Sequence, residues 1–205
     1  MDYEFIKKES GLPFVELDLN FPYETIMEEI LKIPSNMFTL HRPDMSKKWL
    51  QFIIFGKKYN NTRGVWNNNS TYTTEGLKFM PKTVEWFDRF YPSNSFVGIK
   101  LALLGPGGKI DKHRDGPEDR WIIGKSSTVN IAVNNPIGAE FHIANTVIPF
   151  KPGSCMFINF SKDHYLINES NENRYHFLVG HNDETEEFKQ LVIEGFKKYE
   201  NNISK

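Results

Sequence analysis

Two histidines and one carboxylate stand where they could bind a metal ion together. His113 and Asp115 form an H-x-D pair, and His164 follows later in the chain. Two imidazoles and one carboxylate are the ligand set typical of a non-heme Fe(II) centre, which leaves three coordination positions open. A structural zinc site would need four protein ligands, usually rich in cysteine, and this chain has one cysteine. Because an H-x-D pair in a turn is often plain polar surface, the prediction depends on the strands around it.

Arg174 is the candidate for binding an anion. It opens a strand pattern in which Arg174 and His176 share one face, while Phe177 and Val179 share the other. A guanidinium buried inside the protein needs an anion as its partner, and it can hold a carboxylate through two parallel hydrogen bonds. Alternation leaves two alternatives open, because Arg174 could also be a surface residue at the end of its strand. His176 is likewise either a second donor to the anion or a packed core residue.

The second half of the chain is predicted to be almost continuous sheet, with glycine and proline clusters separating short strands. We predict strands over 13–19, 49–55, 96–104, 128–133, 139–143, 147–150, 154–160, 164–167 and 174–181. Helices are predicted over 22–33, 81–91 and 184–199, the last with Asp183 and Glu186 as a capping box. This pattern favours a mainly β fold, a sandwich or barrel, with helices packed outside.

The sequence does not determine the function of two predicted loops, 35–48 and 56–76. Long ordered loops are often functional, and the second contains Arg63 and Trp66. We expect loop 56–76 and the pair His41-Arg42 either to cover the barrel mouth and contact substrate, or to be solvated surface. Three other residues are predicted to have no role in the chemistry, Asp111 as surface and His142 and His181 as surface or hydrogen-bonded histidines.

The composition excludes several classes of function. The length of 205 residues fits one domain, and the net charge of -1 with a pI near 6.6 argues against nucleic acid or an anionic membrane as partner. Cys155 cannot form an internal disulfide and is expected to be a small core residue. No apolar run approaches the roughly 20 residues of a membrane span, and the N-terminal residues lack a signal-peptide pattern. We therefore expect a cytoplasmic protein, with no prediction of its oligomeric state.

The motifs in this chain resemble the aspartyl/asparaginyl β-hydroxylase family, a branch of the Fe(II)- and 2-oxoglutarate-dependent oxygenases. The most specific part is a metal-binding histidine, then Asn-x-Ser, then an arginine ten residues after the histidine that binds 2-oxoglutarate. His164, Asn168, Ser170 and Arg174 stand at those positions. The resemblance covers roughly residues 96–181, and its other segments are 104–113, 130–136 and 150–153.

The resemblance implies a double-stranded β-helix, the jelly-roll or cupin-like fold. It implies three parts of one chain: an N-terminal elaboration over 1–95, a barrel core over 96–181 and a C-terminal helix over 182–205. It also implies a site with Fe(II) on His113, Asp115 and His164, and with Arg174 on the distal carboxylate of 2-oxoglutarate. The enzyme would use dioxygen to hydroxylate an amino acid or peptidyl side chain, converting 2-oxoglutarate to succinate.

The chain departs from the family's vertebrate members at two places. They lack an acid between the two histidines, whereas Asp115 is present here, so the chain is similar to the small bacterial and viral members, proline hydroxylases among them. They also have an arginine and a histidine on the next strand, contacting the near carboxylate of 2-oxoglutarate. Thr128 and Asn130 stand there, and Asn130 can donate a hydrogen bond but carries no charge. The alternatives are a cupin-like metal isomerase or hydrolase, and a non-catalytic barrel that binds a small acid or a protein.

Overall fold

The computed structural model describes residues 2–42, 44, 46–56, 71–93, 95–115, 122–123, 126–181 and 185–203. Antiparallel strands make up most of them, and helices flank the strands. The strands are β1 Phe14–Leu17, β2 Thr39–Leu40, β3 Trp49–Phe55, β4 Phe96–Leu104, β5 Gly108–His113, β6 Ile122–Ile123, β7 Ser126–Ala132, β8 Ala139–Ile143, β9 Thr146–Val147, β10 Cys155–Ile158, β11 His164–Asn168 and β12 Arg174–His181. The helices are α1 Tyr3–Lys8, α2 Tyr23–Ile30, α3 Thr74–Phe79, α4 Pro81–Phe90 and α5 Glu186–Ile203, with one 3-10 turn at Ser35–Met37.

The strands form two sheets. The larger has the order β1-β10-β7-β12-β4-β3-β2, with β6 paired to β7, and the smaller has the order β5-β11-β8-β9. From β4 onward the long strands alternate between the sheets, so β4, β7, β10 and β12 lie in the larger sheet and β5, β8 and β11 in the smaller. This alternation is the winding of a double-stranded β-helix, so the predicted fold class is confirmed.

Strand alternation gives the larger sheet two different faces. Its outer face carries large apolar side chains such as Leu101 and Phe177, which pack in one core with residues of the helices. Its inner face carries Leu104, Ala132 and Met156, which form a second core with residues of the smaller sheet such as Phe141. The predicted separation of β12 into two faces is therefore confirmed, because Phe177 and Val179 belong to the outer core, while Arg174 and His176 are buried on the opposite face.

The helices differ from the prediction in three places. Helix α1 was not predicted. Helix α3 begins inside the predicted loop 56–76, where the Thr73 hydroxyl accepts a hydrogen bond from Gly76 N at 2.8 Å and caps the helix. Helix α5 begins at Glu186, where Thr185 Oγ1 accepts from Phe188 N at 3.1 Å. The predicted capping residue Asp183 lies outside the described residues. Among the described residues, no helix is long and apolar enough to cross a membrane.

Helix α5 packs on β1 at Gly195, which gives a test of the packing. A Cβ at this position would lie 2.2 Å from the backbone oxygen of Glu16 and 2.7 Å from Val15 Cγ1. Alanine favours a helix by about 1 kcal/mol over glycine, yet overpacking of this kind costs about 1–3 kcal/mol and requires the helix to move. We therefore expect Gly195→Ala to lower the free energy of unfolding in urea titrations. Lys197→Ala, at an exposed position of the same helix, is the control; a Gly195→Ala protein as stable as this control would contradict the packing.

Candidate metal centre

Strand pairing brings the two predicted histidines together. Strand β5 ends at His113 and β11 begins at His164, and the two residues are direct partners across the antiparallel pair. Their ring centroids are 4.2 Å apart. Asp115 lies two residues beyond the end of β5, where its backbone N–H donates to Phe160 O at 3.0 Å. The ligand atoms of His113, Asp115 and His164 all lie within 4.8 Å of one another.

Backbone contacts orient both imidazoles. His113 Nδ1 lies 2.7 Å from the carbonyl oxygen of Asp111, and His164 Nδ1 lies 2.9 Å from that of Lys162. A carbonyl can only accept, so each Nδ1 carries the proton and each Nε2 presents its lone pair. These Nε2 atoms face Asp115, at 3.5 Å from Oδ1 for His113 and 3.6 Å from Oδ2 for His164. Metal-binding histidines commonly donate a hydrogen bond in this way from the ring nitrogen that does not bind the metal.

The donor set and its spacing fit Fe(II). Three donors on one face of an octahedron, each about 2.1 Å from the metal, lie about 3.0 Å apart. His113 and His164 lie 3.5 Å and 3.6 Å from different oxygens of Asp115, and the three ligand atoms lie within 4.8 Å of one another, so the side chains would move closer together around a bound ion. Burial raises the pKa of Asp115, but the neighbouring His164, with smaller contributions from His113 and Arg42, outweighs this effect and holds the pKa below its usual value.

A second polar cluster lies inside the larger sheet around Arg174. This side chain is 3% exposed, its Nε donates to Asn135 Oδ1 at 3.0 Å, and its guanidinium lies 5.5 Å from the centre of the Phe150 ring. Within the described part of the chain, no carboxylate forms an ion pair with it. Burial lowers the pKa of Arg174 to about 9, which leaves the guanidinium charged at neutral pH. The structure therefore contains a buried cation without a countercharge among the described residues.

His176 and Asn130 extend this cluster. His176 Nδ1 lies 3.1 Å from Arg174 NH2 and 2.6 Å from Asn130 Oδ1, and all three residues are buried. Burial, with the nearby Arg174 charge, holds the pKa of His176 well below its usual value, so the ring is neutral. Its Nε2 is buried and has no hydrogen-bond partner among the described residues. Buried polar atoms in proteins are nearly always satisfied, so this nitrogen marks a place where a ligand or water belongs.

Not every residue considered from the sequence belongs to these clusters. The side chain of Asp111 is exposed, as predicted, but its carbonyl orients His113. His142 contacts Glu140 at 2.6 Å and stacks on Tyr165, and His181 is buried between Tyr91 and Phe188. Cys155 is buried in the outer core, as predicted. Arg63 and Trp66 lie outside the described residues.

The sequence reasoning missed several contacts of the candidate site. Phe160 and Phe141 pack their rings 5.0 Å and 5.9 Å from His164, forming an apolar wall on one side of the metal ligands. Asn135, assigned to a turn, contacts Arg174. Arg42, which the sequence left between substrate contact and plain surface, reaches Asp115, with 3.4 Å between NH1 and Oδ1. Only the turn residues Asn134-Asn135, which follow the strand that pairs with β12, gave a usable signal.

A double-stranded β-helix with two imidazoles and a carboxylate between its sheets defines the class of metal-dependent jelly-roll enzymes. The model of the aspartyl/asparaginyl β-hydroxylase family matches residues 21–182. The chain belongs to this family and is a hydroxylase-type oxygenase, so the resemblance seen in the sequence is confirmed.

Solved structures support the fold. A prolyl hydroxylase from Trichoplax adhaerens, in complex with a hypoxia-inducible-factor peptide fragment, is similar with a TM-score of 0.55 at 16% identity, covering 92% of this chain and 90% of that one. A prolyl-4-hydroxylase from Pseudomonas putida has a TM-score of 0.52 at 9% identity, covering 89% and 98%. No curated protein matches the sequence.

Replacing a metal ligand tests the triad. His113→Ala and His164→Ala should each abolish most Mn(II) or Fe(II) binding, because each variant removes one of the two imidazoles that backbone carbonyls orient. Asp115→Ala should weaken binding less, since two oriented imidazoles remain. The measurement is anaerobic metal titration, with far-UV circular dichroism to show that the fold is retained. His142→Ala, which removes a histidine from the outer surface of the smaller sheet, is the control; full metal occupancy in both His113 and His164 variants would falsify the assignment.

The buried histidines predict how stability depends on pH. Burial, followed by the charge of Lys100, lowers the pKa of His41 to about 4, and the pKa of His176 is also lowered. The unfolded chain therefore binds protons near pH 6.5, the ordinary value, before the folded chain does. Consequently the stability of the metal-free protein should fall as the pH drops from about 6.5 to about 4. Urea midpoints measured across this range check it. His41→Gln should flatten the dependence and His142→Gln should not; identical slopes for both variants would contradict the assignment.

Proposed function

We propose that this protein is an Fe(II)- and 2-oxoglutarate-dependent hydroxylase that acts on an amino acid or a peptidyl side chain. The observation that carries the proposal is the buried Arg174 guanidinium, which has no carboxylate partner among the described residues. A buried cation of this kind is costly unless an anion joins it. 2-Oxoglutarate provides a carboxylate for the guanidinium and, at its other end, a ketone and carboxylate for the metal.

In this proposal His113, Asp115 and His164 hold the iron, and the three remaining positions accept 2-oxoglutarate and dioxygen. Bound iron, with these two cosubstrates, supplies the oxidant that hydroxylates a C–H bond while 2-oxoglutarate becomes succinate and carbon dioxide. The chain's own residues hold the metal, orient the imidazoles that bind it and exclude water. The carbonyl contacts of the two imidazoles fix the lone pairs that face the metal, and the rings of Phe160 and Phe141 limit access of water beside His164.

The placement of Arg174 along its strand suits an elongated dicarboxylate. Arg174 on β12 pairs with Leu104 on the neighbouring strand β4. Asn168 at the end of β11 donates to Leu104 O at 2.8 Å. His164 begins β11 and is therefore about 13 Å away from Asn168 along that strand. The guanidinium and the metal ligands thus lie toward opposite ends of the space between the sheets. A molecule with a carboxylate at each end can bridge them.

His176 and Asn130 lie along this path. His176 is the next inward-facing residue after Arg174, about 7 Å further along β12. Asn130 pairs with Leu178, which lies two residues after His176 on β12, and Asn130 also contacts His176. We propose that both side chains line the bound 2-oxoglutarate. Asn130 takes the position at which vertebrate relatives use charged residues, so the near carboxylate is held here by the metal and neutral donors.

The substrate enters, in this proposal, past the residues that precede β3. His41 and Arg42 lie at the side of the metal ligands, and His41 Nδ1 is 2.5 Å from Gln51 Oε1. Loop 56–76, with Arg63 and Trp66, remains the predicted cover of the same opening. An amino acid, a peptide or a protein side chain fits these features. Succinate formation that depends on an added substrate tests the activity and excludes the isomerase, hydrolase and non-catalytic alternatives.

Replacing Arg174 tests the cosubstrate site. Breaking one partner of a buried, hydrogen-bonded charge pair costs about 2–5 kcal/mol, which is roughly thirty- to several-thousand-fold in affinity. Arg174→Ala should weaken 2-oxoglutarate binding by such a factor, and Arg174→Lys should fall between it and wild type, because lysine keeps the charge but loses the planar fork. The dissociation constant is measured anaerobically from the metal-to-ligand charge-transfer band.

Metal content should be unchanged in both variants, since Arg174 contacts no metal ligand. Arg89→Ala is the matched control, because Arg89 is an exposed arginine paired with Glu85. If Arg174→Ala binds 2-oxoglutarate as tightly as wild type does, the anchor of the cosubstrate lies elsewhere.

A further inference from the structure

Arg42 contacts the carboxylate of the metal site from outside the barrel strands. Its NH1 lies 3.4 Å from Asp115 Oδ1, and the two residues are 73 positions apart in the chain. The same Oδ1 is 3.5 Å from His113 Nε2, and the other oxygen, Oδ2, is 3.6 Å from His164 Nε2. Both oxygens of Asp115 therefore face an imidazole, and neither distance by itself selects which oxygen binds the metal.

The number of oxygens that Asp115 gives to the metal decides what else can bind. An octahedral ion with two imidazoles and one carboxylate oxygen keeps three open positions. If both oxygens bind, two positions remain, and a ligand that chelates through a ketone and a carboxylate fills both. Dioxygen then has no position of its own. A site of this class therefore requires a carboxylate that binds through one oxygen.

Arg42 can impose this requirement. A hydrogen bond from a cation engages a lone pair of Oδ1 and leaves this oxygen the weaker metal donor, so the metal is directed to Oδ2. Its own positive charge also opposes close approach of a divalent ion to Oδ1. Arg114, between the two ligands in sequence, cannot substitute because its guanidinium pairs with Asp163 instead.

The chain before β3 holds Arg42 at this place. The neighbouring residue His41 donates its backbone N–H to Trp49 O at 2.9 Å, packs its ring 4.2 Å from the Trp49 ring and contacts Gln51. The Arg42 carbonyl accepts from Ser46 N at 3.1 Å. Since β3 pairs with β4 along its length, this segment is tied to the barrel through β3, while the Arg42 side chain itself is 43% exposed.

We propose that Arg42 is a positioning residue that keeps Asp115 bound to the metal through a single oxygen. The inference rests on the metal site of the proposed function, and it concerns the number of open positions rather than the reaction. Its direct consequence is the number of water molecules that bind the metal before any cosubstrate does.

The experiment counts those waters in Mn(II)-loaded protein by oxygen-17 and proton relaxation of the solvent, without turnover. Wild type should hold about three inner-sphere waters and Arg42→Ala about two, a loss of about one third of the inner-sphere relaxation. Arg42→Lys keeps the charge and should restore the wild-type count. Arg114→Ala is the matched control, which removes a cation next to Asp115 in sequence but not in contact with it, and should also match wild type.

Three outcomes overturn the proposal. Arg42→Ala with as many bound waters as wild type shows that Arg42 does not govern how Asp115 binds. A loss of water in Arg114→Ala equal to that in Arg42→Ala shows a general effect of charge. Failure of wild type to bind Mn(II) at all, with native circular dichroism, removes the metal site itself and with it the proposed function, so the two failures are distinguishable.

Discussion

The antiparallel register between β5 and β11 is the constraint on which the metal site depends. It sets His164 opposite His113, and because side chains alternate, a slip of one residue would turn one imidazole to the other face of the sheet. Asn168 fixes the register at the other end of β11, beyond the register shift between His164 and Leu166. It pairs with Gly108, its Nδ2 donates to both Leu104 O and Glu172 O at 2.8 Å, and the Ser170 hydroxyl donates to its Oδ1. The Asn-x-Ser motif therefore fixes the end of β11, the strand that begins at the candidate ligand His164.

The contacts of Asn168 also link the candidate metal ligands to the buried Arg174. Asn168 contacts Leu104 O, and Leu104 pairs with Arg174, so one asparagine ties the end of β11 to the start of β12. Arg174, His176 and Asn130 then form a polar row beside the apolar side chains of the inner core. Burial of such groups is unfavourable unless partners satisfy them, so the row opposes folding in the absence of a ligand. The outer core between the larger sheet and the helices contains no part of this row and stabilises the fold independently.

The parts of the structure that the sequence predicted well are those determined locally. Strands β3, β4, β8 and β12 begin and end where their apolar patterns do, and the three candidate ligands chosen from residue types and motif spacing lie close together. Helices α1 and α3 were missed because each has only six residues, too few to show a helical period. The contact between Arg42 and Asp115 joins residues 73 positions apart, and no spacing rule connects them.

The contact of Arg42 also changes how the N-terminal part of the chain is understood. The sequence suggested a barrel core over 96–181 with an elaboration before it, a division that stays a prediction. The three candidate metal ligands and Arg174 do lie within that range, so a barrel of this extent would contain the residues that we propose to bind metal and cosubstrate. The cation on Asp115, however, comes from the segment before β3, which β3 attaches to the edge of β4. Since Arg42 contacts one of the candidate metal ligands, we infer that the segment before β3 contributes to the candidate site as well as to the fold.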